Sequence, residues 1–219
     1  MGTLSKLRRM VLRENVSVRE AAKHVKHVVG MNRRLIYVVG PSGAGKDSLL
    51  LWLRAHIPSS APVHWAKRTI NRPSAEGFNA EDHESVESAT FEQLVSEGAF
   101  AMQWDANTHR YGIRASELTR LSDPAFCVLV NGSRAHLPMA AHLYPGLTVL
   151  HITADAAVLR DRLKQRGRES AQAIEARLSR NVDLAVPTAC TLIEISNDTH
   201  LDHAGQQLLE RLQALALMT

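Results

Sequence analysis

A glycine-rich segment in the first quarter of the chain has the residue types and spacing of a phosphate-binding loop. The first seven positions of the pattern G-x-x-x-x-G-K-[ST] are matched by Gly40, Pro41, Ser42, Gly43, Ala44, Gly45 and Lys46. In such a loop, glycines let backbone N–H groups converge on phosphate oxygens, and the helix that follows adds the positive end of its dipole. A lysine at the seventh position neutralises phosphate charge. The spacing therefore predicts a nucleotide site in which residues 40–48 bind phosphates and Lys46 acts in catalysis.

The eighth position departs from this pattern, because Asp47 stands where Ser or Thr normally binds magnesium and Ser48 comes one residue later. The strand that would be expected to end in an acidic residue ends instead at Asn131, without a carboxylate. Magnesium prefers carboxylate oxygens together with several retained waters. We therefore predict that Asp47 compensates as a magnesium ligand, with Ser48 as the second candidate. Asp47 could also simply favour the first turn of its helix, and the two roles are compatible.

Strands that alternate with helices must position this loop. Leu35–Val39 is a short β-branched run directly before the loop, and residues 49–53 form a helix-forming stretch directly after it. Further strand-like runs follow at residues 63–66, 126–130, 147–152 and 191–195, with helical patterns between most of them. This order predicts an α/β fold with a parallel sheet that is covered by helices on both faces. The polar residues 67–89, which lack clear periodicity, are predicted to be a binding region.

The composition of the 219 residues, 45% hydrophobic and 22% charged, is that of one globular domain or of one domain with an appendage. No uninterrupted apolar run reaches the roughly 18 residues that a membrane span needs, so we expect no membrane partner. The two cysteines, Cys127 and Cys190, lie far apart in apolar runs. This use of cysteine favours a reducing compartment, and we expect a cytoplasmic protein.

Positive charge is concentrated at the beginning of the chain. Residues 1–34 hold nine Lys and Arg against two Glu, whereas the remainder holds 17 basic and 20 acidic residues. We therefore predict a basic, partly helical or disordered extension over residues 1–30 and a catalytic domain over residues 31–219, with Met31 as an alternative start. The extension has no aromatic residue for base stacking, which argues against nucleic acid as a partner.

Several motifs together resemble the guanylate-kinase-like P-loop kinases and, among them, the ribose 1,5-bisphosphate kinases of phosphonate catabolism. The resemblance covers about residues 32–200. Its motifs are residues 40–48, 68–72 (RTINR), 81–83 (EDH), 110–112 (RYG), 130–137 (VNGSRAHL) and 166–169 (RGRE). The Gly-Lys-Asp-Ser loop and the Val-Asn-Gly-Ser-Arg segment resemble the ribose bisphosphate kinases and differ from guanylate kinases. Guanylate kinases usually have Ser or Thr after the lysine and an aspartate at the strand end. Residues 81–83 stand where guanylate kinases have a Gly-x-Asp-Tyr element.

The resemblance implies ATP-dependent, Mg²⁺-assisted phosphorylation of ribose 1,5-bisphosphate to 5-phosphoribosyl 1-diphosphate, in a guanylate-kinase-like core with a lid. Arg162 and Arg166, four residues apart on one helix face, are the implied catalytic arginines of the lid. The implied acceptor residues are Arg68, Arg72, His83, Arg110, Tyr111 and Arg134. Arginine forks match phosphate geometry, but each arginine taken singly could also belong to a solvated surface.

Two other functions stay open at this level: a nucleoside monophosphate kinase such as guanylate kinase, and a non-catalytic P-loop interaction module. Lys46 and the arginine-rich lid argue against the module. The acceptor phosphate would already be ionised near neutral pH, so no general base is required. The scattered histidines, such as His56 and His64, show no metal-ligand spacing and are interpreted as structural or surface residues. The expected partners are small-molecule substrates, and the sequence carries no signal of oligomeric state.

Overall fold

A computed structural model describes residues 32–72, 83–106, 108–167, 170–179 and 184–218. The predicted extension at residues 1–30 and Met31 lie outside the described residues, as do Glu81, Asp82, Arg168, Glu169 and Arg180. In the part of the chain that is described, no helix is long and apolar enough to span a membrane.

Nine strands and seven helical segments form the described fold. The strands are β1 (Leu35–Val39), β2 (Val63–Ala66), β3 (Arg68–Ile70), β4 (His83–Ser85), β5 (Phe100–Ala106), β6 (His109–Arg114), β7 (Cys127–Asn131), β8 (Thr148–Thr153) and β9 (Thr191–Ser196). The α-helices are α1 (Lys46–His56), α2 (Ser88–Ser96), α3 (Leu137–Leu143), α4 (Ala156–Arg166), α5 (Ala171–Ser179) and α6 (Leu201–Ala214), and a 3₁₀ helix covers Ala115–Ser122.

The main sheet has five parallel strands in the order β2-β7-β1-β8-β9. Its central strand β1 is fully buried because both of its faces are covered. Leu35, Tyr37 and Val39 face a core that includes α3, whereas Ile36 and Val38 face a core built with α1, α4 and α6. Covering on both faces is what a continuous apolar strand requires. The predicted α/β fold, a parallel sheet with helices on both faces, is confirmed.

A second, smaller sheet lies within the segment between β2 and β7. Its order is β4-β3-β6-β5, with β3 antiparallel to β6 and parallel to β4. Ile70, Trp104 and Tyr111 on one face of this sheet join the first of the two cores. The polar binding region predicted at residues 67–89 therefore contributes two strands of three residues each, which are too short to show a periodicity in the sequence.

Candidate active site

The phosphate loop leaves the carboxyl end of β1 and enters α1, with two glycines where no other residue fits. A Cβ atom on Gly40 would lie 2.2 Å from the carbonyl oxygen of Ile152. At Gly45, φ is +82°, and a Cβ atom would lie 2.4 Å from Nδ2 of Asn197. The loop backbone is thus packed directly against the ends of the neighbouring strands β8 and β9. Such close packing fixes the directions of the loop N–H groups.

Lys46, the first residue of α1, folds back over its own loop. Its ammonium group donates hydrogen bonds to the carbonyl oxygens of Gly40, at 2.8 Å, and Pro41, at 3.1 Å. Burial lowers the pKa of Lys46 to about 8, while the Asp47 carboxylate opposes the shift. The positive charges of Arg68, Arg134 and Arg166 lower this pKa further.

These three arginines come from β3, from the turn after β7 and from the end of α4, so distant parts of the sequence surround the lysine with positive charge. A concentration of cations around a phosphate loop attracts a polyanion and is electrostatically unfavourable without one. The positive charge around Lys46 therefore suits phosphate-bearing ligands.

Asp47 lies beside the carboxyl end of β7, where the expected acidic residue is absent. The side-chain amide of Asn131, the last residue of β7, donates a hydrogen bond of 2.8 Å to Oδ1 of Asp47. Asn131 pairs with Val38 across the strands β7 and β1, so this contact sits at the carboxyl edge beside the phosphate loop. The loop carboxylate thus lies within hydrogen-bond distance of the strand end that lacks one.

This arrangement fits magnesium, which takes one or two protein carboxylates and fills its other positions with phosphate and water oxygens. Among the described residues, no group of three or more His, Cys, Asp and Glu side chains could form an all-protein cage. Ser48 is exposed and lines the cavity beside the loop. Asp47 and Ser48 are the residues that would hold the ion.

The lid helix α4 contacts the phosphate loop. An Nη atom of Arg162 lies 3.4 Å from the carbonyl oxygen of Gly43, and α4 ends at Gly167, whose φ is +63°. Between the loop, α4 and the end of β9 is a cavity of about 380 Å³. Its lining consists of Gly43, Gly45, Ser48, Arg162, Gln165, Arg166, Asn197, Thr199 and Leu201. Arg162 and Arg166, which the sequence predicted on one helix face, both line it.

Not every basic residue of the lid faces the loop. Arg160 forms a bidentate ion pair with Glu175, with distances of 2.5 and 3.0 Å, and this pair joins α4 to α5. Two further lid arginines, Arg168 and Arg180, lie outside the described residues, as does the side chain of Arg177.

Four of the predicted acceptor residues come together on the second sheet. The guanidinium of Arg68 lies over the ring of Tyr111, 5.3 Å from its centroid. His83 pairs with Arg68 across β3 and β4, and its Nε2 lies 3.0 Å from an Nη atom of Arg72. Arg134 follows β7, and its charge acts on Lys46 as that of Arg68 does.

The structure does not bring Arg110 into this group. Successive side chains of a strand point to opposite faces, so Arg110 lies on the face opposite Tyr111. Its guanidinium pairs with Glu92 and, at 3.5 Å, with Asp105. It also lies 4.9 Å from the ring centroid of Phe91 on α2. The Arg-Tyr-Gly segment thus places its aromatic ring beneath Arg68 and uses its arginine to attach α2.

Arg134 lies in the turn between β7 and α3, which starts at Leu137. Three residues of the site were missed. Asn197 follows β9, and its side-chain amide donates a hydrogen bond of 2.8 Å to the carbonyl oxygen of Ala44 in the phosphate loop. A polar residue directly after a strand of a parallel sheet is a signal that could have found it. The other two are Tyr37, a buried position of β1, and His136, which is buried at the end of the turn; His136 falls within the 130–137 motif, but no role was predicted for it.

The fold and the phosphate loop together define a P-loop kinase. A crystal structure of guanylate kinase from Anaplasma phagocytophilum matches with a TM-score of 0.53, covering 82% of this chain and 84% of that one at 15% identity, which shows a shared fold. No protein-family model matches the chain.

The relatives among curated proteins specify the family. "Ribose 1,5-bisphosphate phosphokinase PhnN" of Burkholderia mallei is 43% identical over 183 residues, which cover 84% of this chain and 97% of the relative. A protein of the same name from Yersinia pestis is 42% identical over 82% of this chain and 91% of the relative. The chain belongs to the ribose 1,5-bisphosphate phosphokinase family and is a phosphotransferase.

Proposed function

We propose that this protein transfers the γ-phosphoryl group of ATP to the 1-phosphate of ribose 1,5-bisphosphate, forming ADP and 5-phosphoribosyl 1-diphosphate. The observation that carries the proposal is the convergence of Arg68, Arg134 and Arg166 on Lys46, together with the membership of the family. An acceptor with two phosphate groups requires cations on its own side of the reacting phosphoryl group as well as on the donor side. Arg166 belongs to the donor lid, and the other two arginines belong to the acceptor side.

On the donor side, loop N–H groups and Lys46 bind the β- and γ-phosphates, and Arg162 and Arg166 approach from the lid. The ammonium group of Lys46 exchanges the carbonyl oxygens of Gly40 and Pro41 for phosphate oxygens when ATP binds. The transition state of phosphoryl transfer spreads negative charge over the transferred group, so prepositioned cations stabilise it most. Magnesium, held through Asp47 and Ser48, supplies further charge neutralisation when it is bound.

On the acceptor side, Arg68, Arg72 and Arg134 bind and orient the bisphosphate, with His83 beside Arg72. An oxygen of the 1-phosphate forms a bond to the γ-phosphorus while the bond from that phosphorus to the β–γ bridging oxygen breaks. The electron pair of the breaking bond stays on ADP. No proton has to be removed from the acceptor, since its phosphate oxygen is ionised near neutral pH. Catalysis therefore depends on alignment and charge, without a general base.

The test is a coupled ADP-release assay in which purified protein, ATP and magnesium are offered ribose 1,5-bisphosphate or GMP at equal concentrations. We expect transfer to ribose 1,5-bisphosphate, with a phosphorus NMR spectrum that shows a new diphosphate on the sugar. Faster transfer to GMP would replace the proposal with a nucleoside monophosphate kinase. ADP release that requires neither acceptor would indicate an ATPase.

The proposed setting is phosphonate catabolism in the cytoplasm, where the product feeds the pool of 5-phosphoribosyl 1-diphosphate. Cys127 and Cys190, both without a disulfide, suit a reducing compartment.

The pKa of Lys46 makes a prediction about pH. Because burial lowers this pKa to about 8, the free enzyme loses the ammonium charge as the pH rises through that value. Neutral Lys46 binds phosphate poorly, so we expect kcat/KM for ATP to fall above about pH 8. Bound phosphates favour the charged lysine and raise its pKa, so kcat should hold to a higher pH. Rates measured from about pH 6.5 to about pH 9.5 check this, and a kcat/KM that stays flat to the upper limit would contradict it.

A further inference from the structure

A buried hydroxyl group lies beneath the turn that carries Arg134. The backbone N–H of Ser133 donates a hydrogen bond of 3.1 Å to the hydroxyl oxygen of Tyr37, which lies on β1 three residues before the phosphate loop. The same oxygen is 3.0 Å from Nδ1 of His136, at the other end of the turn. Since the oxygen accepts from Ser133, its own hydrogen is available to donate to Nδ1. The hydroxyl group thus joins the two ends of the turn through one atom.

The packing around this group leaves the turn little room to move. Gly132 lies directly on the ring of Tyr37, and a Cβ atom there would come within 2.1 Å of ring carbon Cζ. The backbone N–H of Gly132 also donates to the carbonyl oxygen of Val38, at 2.8 Å. Burial lowers the pKa of His136, which keeps its imidazole neutral and Nδ1 available as an acceptor. Residues 132–136 are therefore attached to β1 by backbone, hydroxyl and ring contacts together.

The same contacts extend to the second sheet. His136 stacks on Trp104, with ring centroids 5.2 Å apart, and Trp104 stacks on Tyr111 at 5.7 Å. Tyr111 in turn carries the guanidinium of Arg68 over its face. One continuous line of buried rings thus connects Tyr37 with the acceptor arginine of β3, while the turn connects it with Arg134.

We propose that Tyr37 and His136 are positioning residues that hold the acceptor-binding arginines Arg134 and Arg68 in register with the phosphate loop. Both side chains are buried, so we expect neither to contact a substrate. The hydroxyl of Tyr37 orders the turn of Arg134, and the ring of His136 supports the stack beneath Arg68. This inference rests on the proposed function, because it assigns those arginines to the acceptor bisphosphate.

The variant Tyr37→Phe tests the hydroxyl, because it keeps the buried ring and removes only the oxygen. We expect KM for ribose 1,5-bisphosphate to rise about fivefold, the effect of one lost buried hydrogen bond. KM for ATP and kcat should stay within about twofold, since the donor loop keeps its own contacts. Tyr144→Phe is the matched control: it removes a hydroxyl from a half-buried tyrosine that lines a different cavity, with Leu118 and Leu121.

A second pair of variants tests the histidine. In His136→Asn the amide oxygen can replace Nδ1 as an acceptor, whereas His136→Leu retains bulk and offers no acceptor. We expect the asparagine variant to keep KM for the acceptor closer to the wild-type value than the leucine variant does. Thermal unfolding of each variant shows whether it is folded before its kinetics are compared.

An unchanged KM for the acceptor in folded Tyr37→Phe would overturn the inference, and so would equal rises in both KM values, which indicate a general loosening of the site. A wild-type enzyme that does not phosphorylate ribose 1,5-bisphosphate contradicts the proposed function alone. In that case KM of each variant is compared with KM of the wild-type enzyme for the acceptor that the wild-type enzyme does use. The same comparison then decides the role of Tyr37 and His136.

Discussion

Replacing Lys46 by methionine is expected to lower kcat/KM for phosphoryl transfer by at least about a hundredfold, the usual cost of removing one preorganised charge from a transition state. Methionine keeps the unbranched apolar stem and removes the ammonium group alone. The charges of Arg68, Arg134 and Arg166 all act on this lysine, in keeping with its proposed place beside the transferred phosphoryl group. Removing it also takes away the hydrogen bonds that the ammonium group donates to the carbonyl oxygens of Gly40 and Pro41 in the free enzyme.

The control for the lost charge is Arg120→Met, at an exposed arginine on the 3₁₀ helix that lies over the ring of Phe126. It lowers the net charge by the same amount away from the phosphate loop and should leave kcat/KM within about twofold. Steady-state rates and thermal unfolding of both variants separate catalysis from stability. A folded Lys46→Met enzyme with wild-type turnover would remove Lys46 from the mechanism.

Local patterns in the sequence were enough to predict the donor half of the site. The phosphate loop, the strand before it and the helix after it are contiguous, and glycine spacing reports backbone geometry directly. Arg162 and Arg166 are four residues apart on one helix, so their common direction also followed from helical periodicity. The prediction of these residues required no information about contacts between distant segments of the chain.

The acceptor half depends on contacts between distant segments, and there the sequence was less informative. Strands β3 and β4 have three residues each, too few to show which side chain faces which way. The direction of Arg110 is set by the pairing of β6 with its neighbours, which places Tyr111 inside and Arg110 against α2. Similarly, Tyr37 looked like one more apolar position of β1, because only the turn after β7 gives its hydroxyl a partner.

The pair formed by Asp47 and Asn131 is understood only when the local sequence pattern is combined with the contacts in the structure. The sequence shows an aspartate at the position of the usual serine, a serine one residue later, and an asparagine where an acid is usual. The structure joins the two by a hydrogen bond of 2.8 Å. The carboxylate of the loop and the neutral side chain of the strand therefore meet at the carboxyl edge of the sheet. If metal binding requires a carboxylate at this place in the structure, whichever of the two residues carries it, exchanging the two residues should preserve metal binding.

For the single variant Asp47→Asn we expect the magnesium concentration for half-maximal rate to rise by about 10- to 100-fold, the range seen when the surroundings of a metal site lose a group. The substituted amide oxygen can still accept the hydrogen bond from Asn131, so the change removes charge and little else. ATP binding without metal should change little, because the loop N–H groups and Lys46 remain. Magnesium titrations of the rate at saturating acceptor measure the shift.

The double variant Asp47→Asn/Asn131→Asp returns a carboxylate to the end of β7 and reverses the donor and acceptor of the pair. We expect the double variant to recover a large part of the magnesium affinity that Asp47→Asn loses. Asn131→Asp alone places two carboxylates together and should therefore lower stability. If Asp47 serves only the first turn of α1, its loss costs about 0.3–1 kcal/mol of stability and the magnesium curves of wild type and Asp47→Asn superimpose. A shift that the double variant does not reduce would mean that magnesium requires the carboxylate in the loop itself, because only there can it lie beside Ser48.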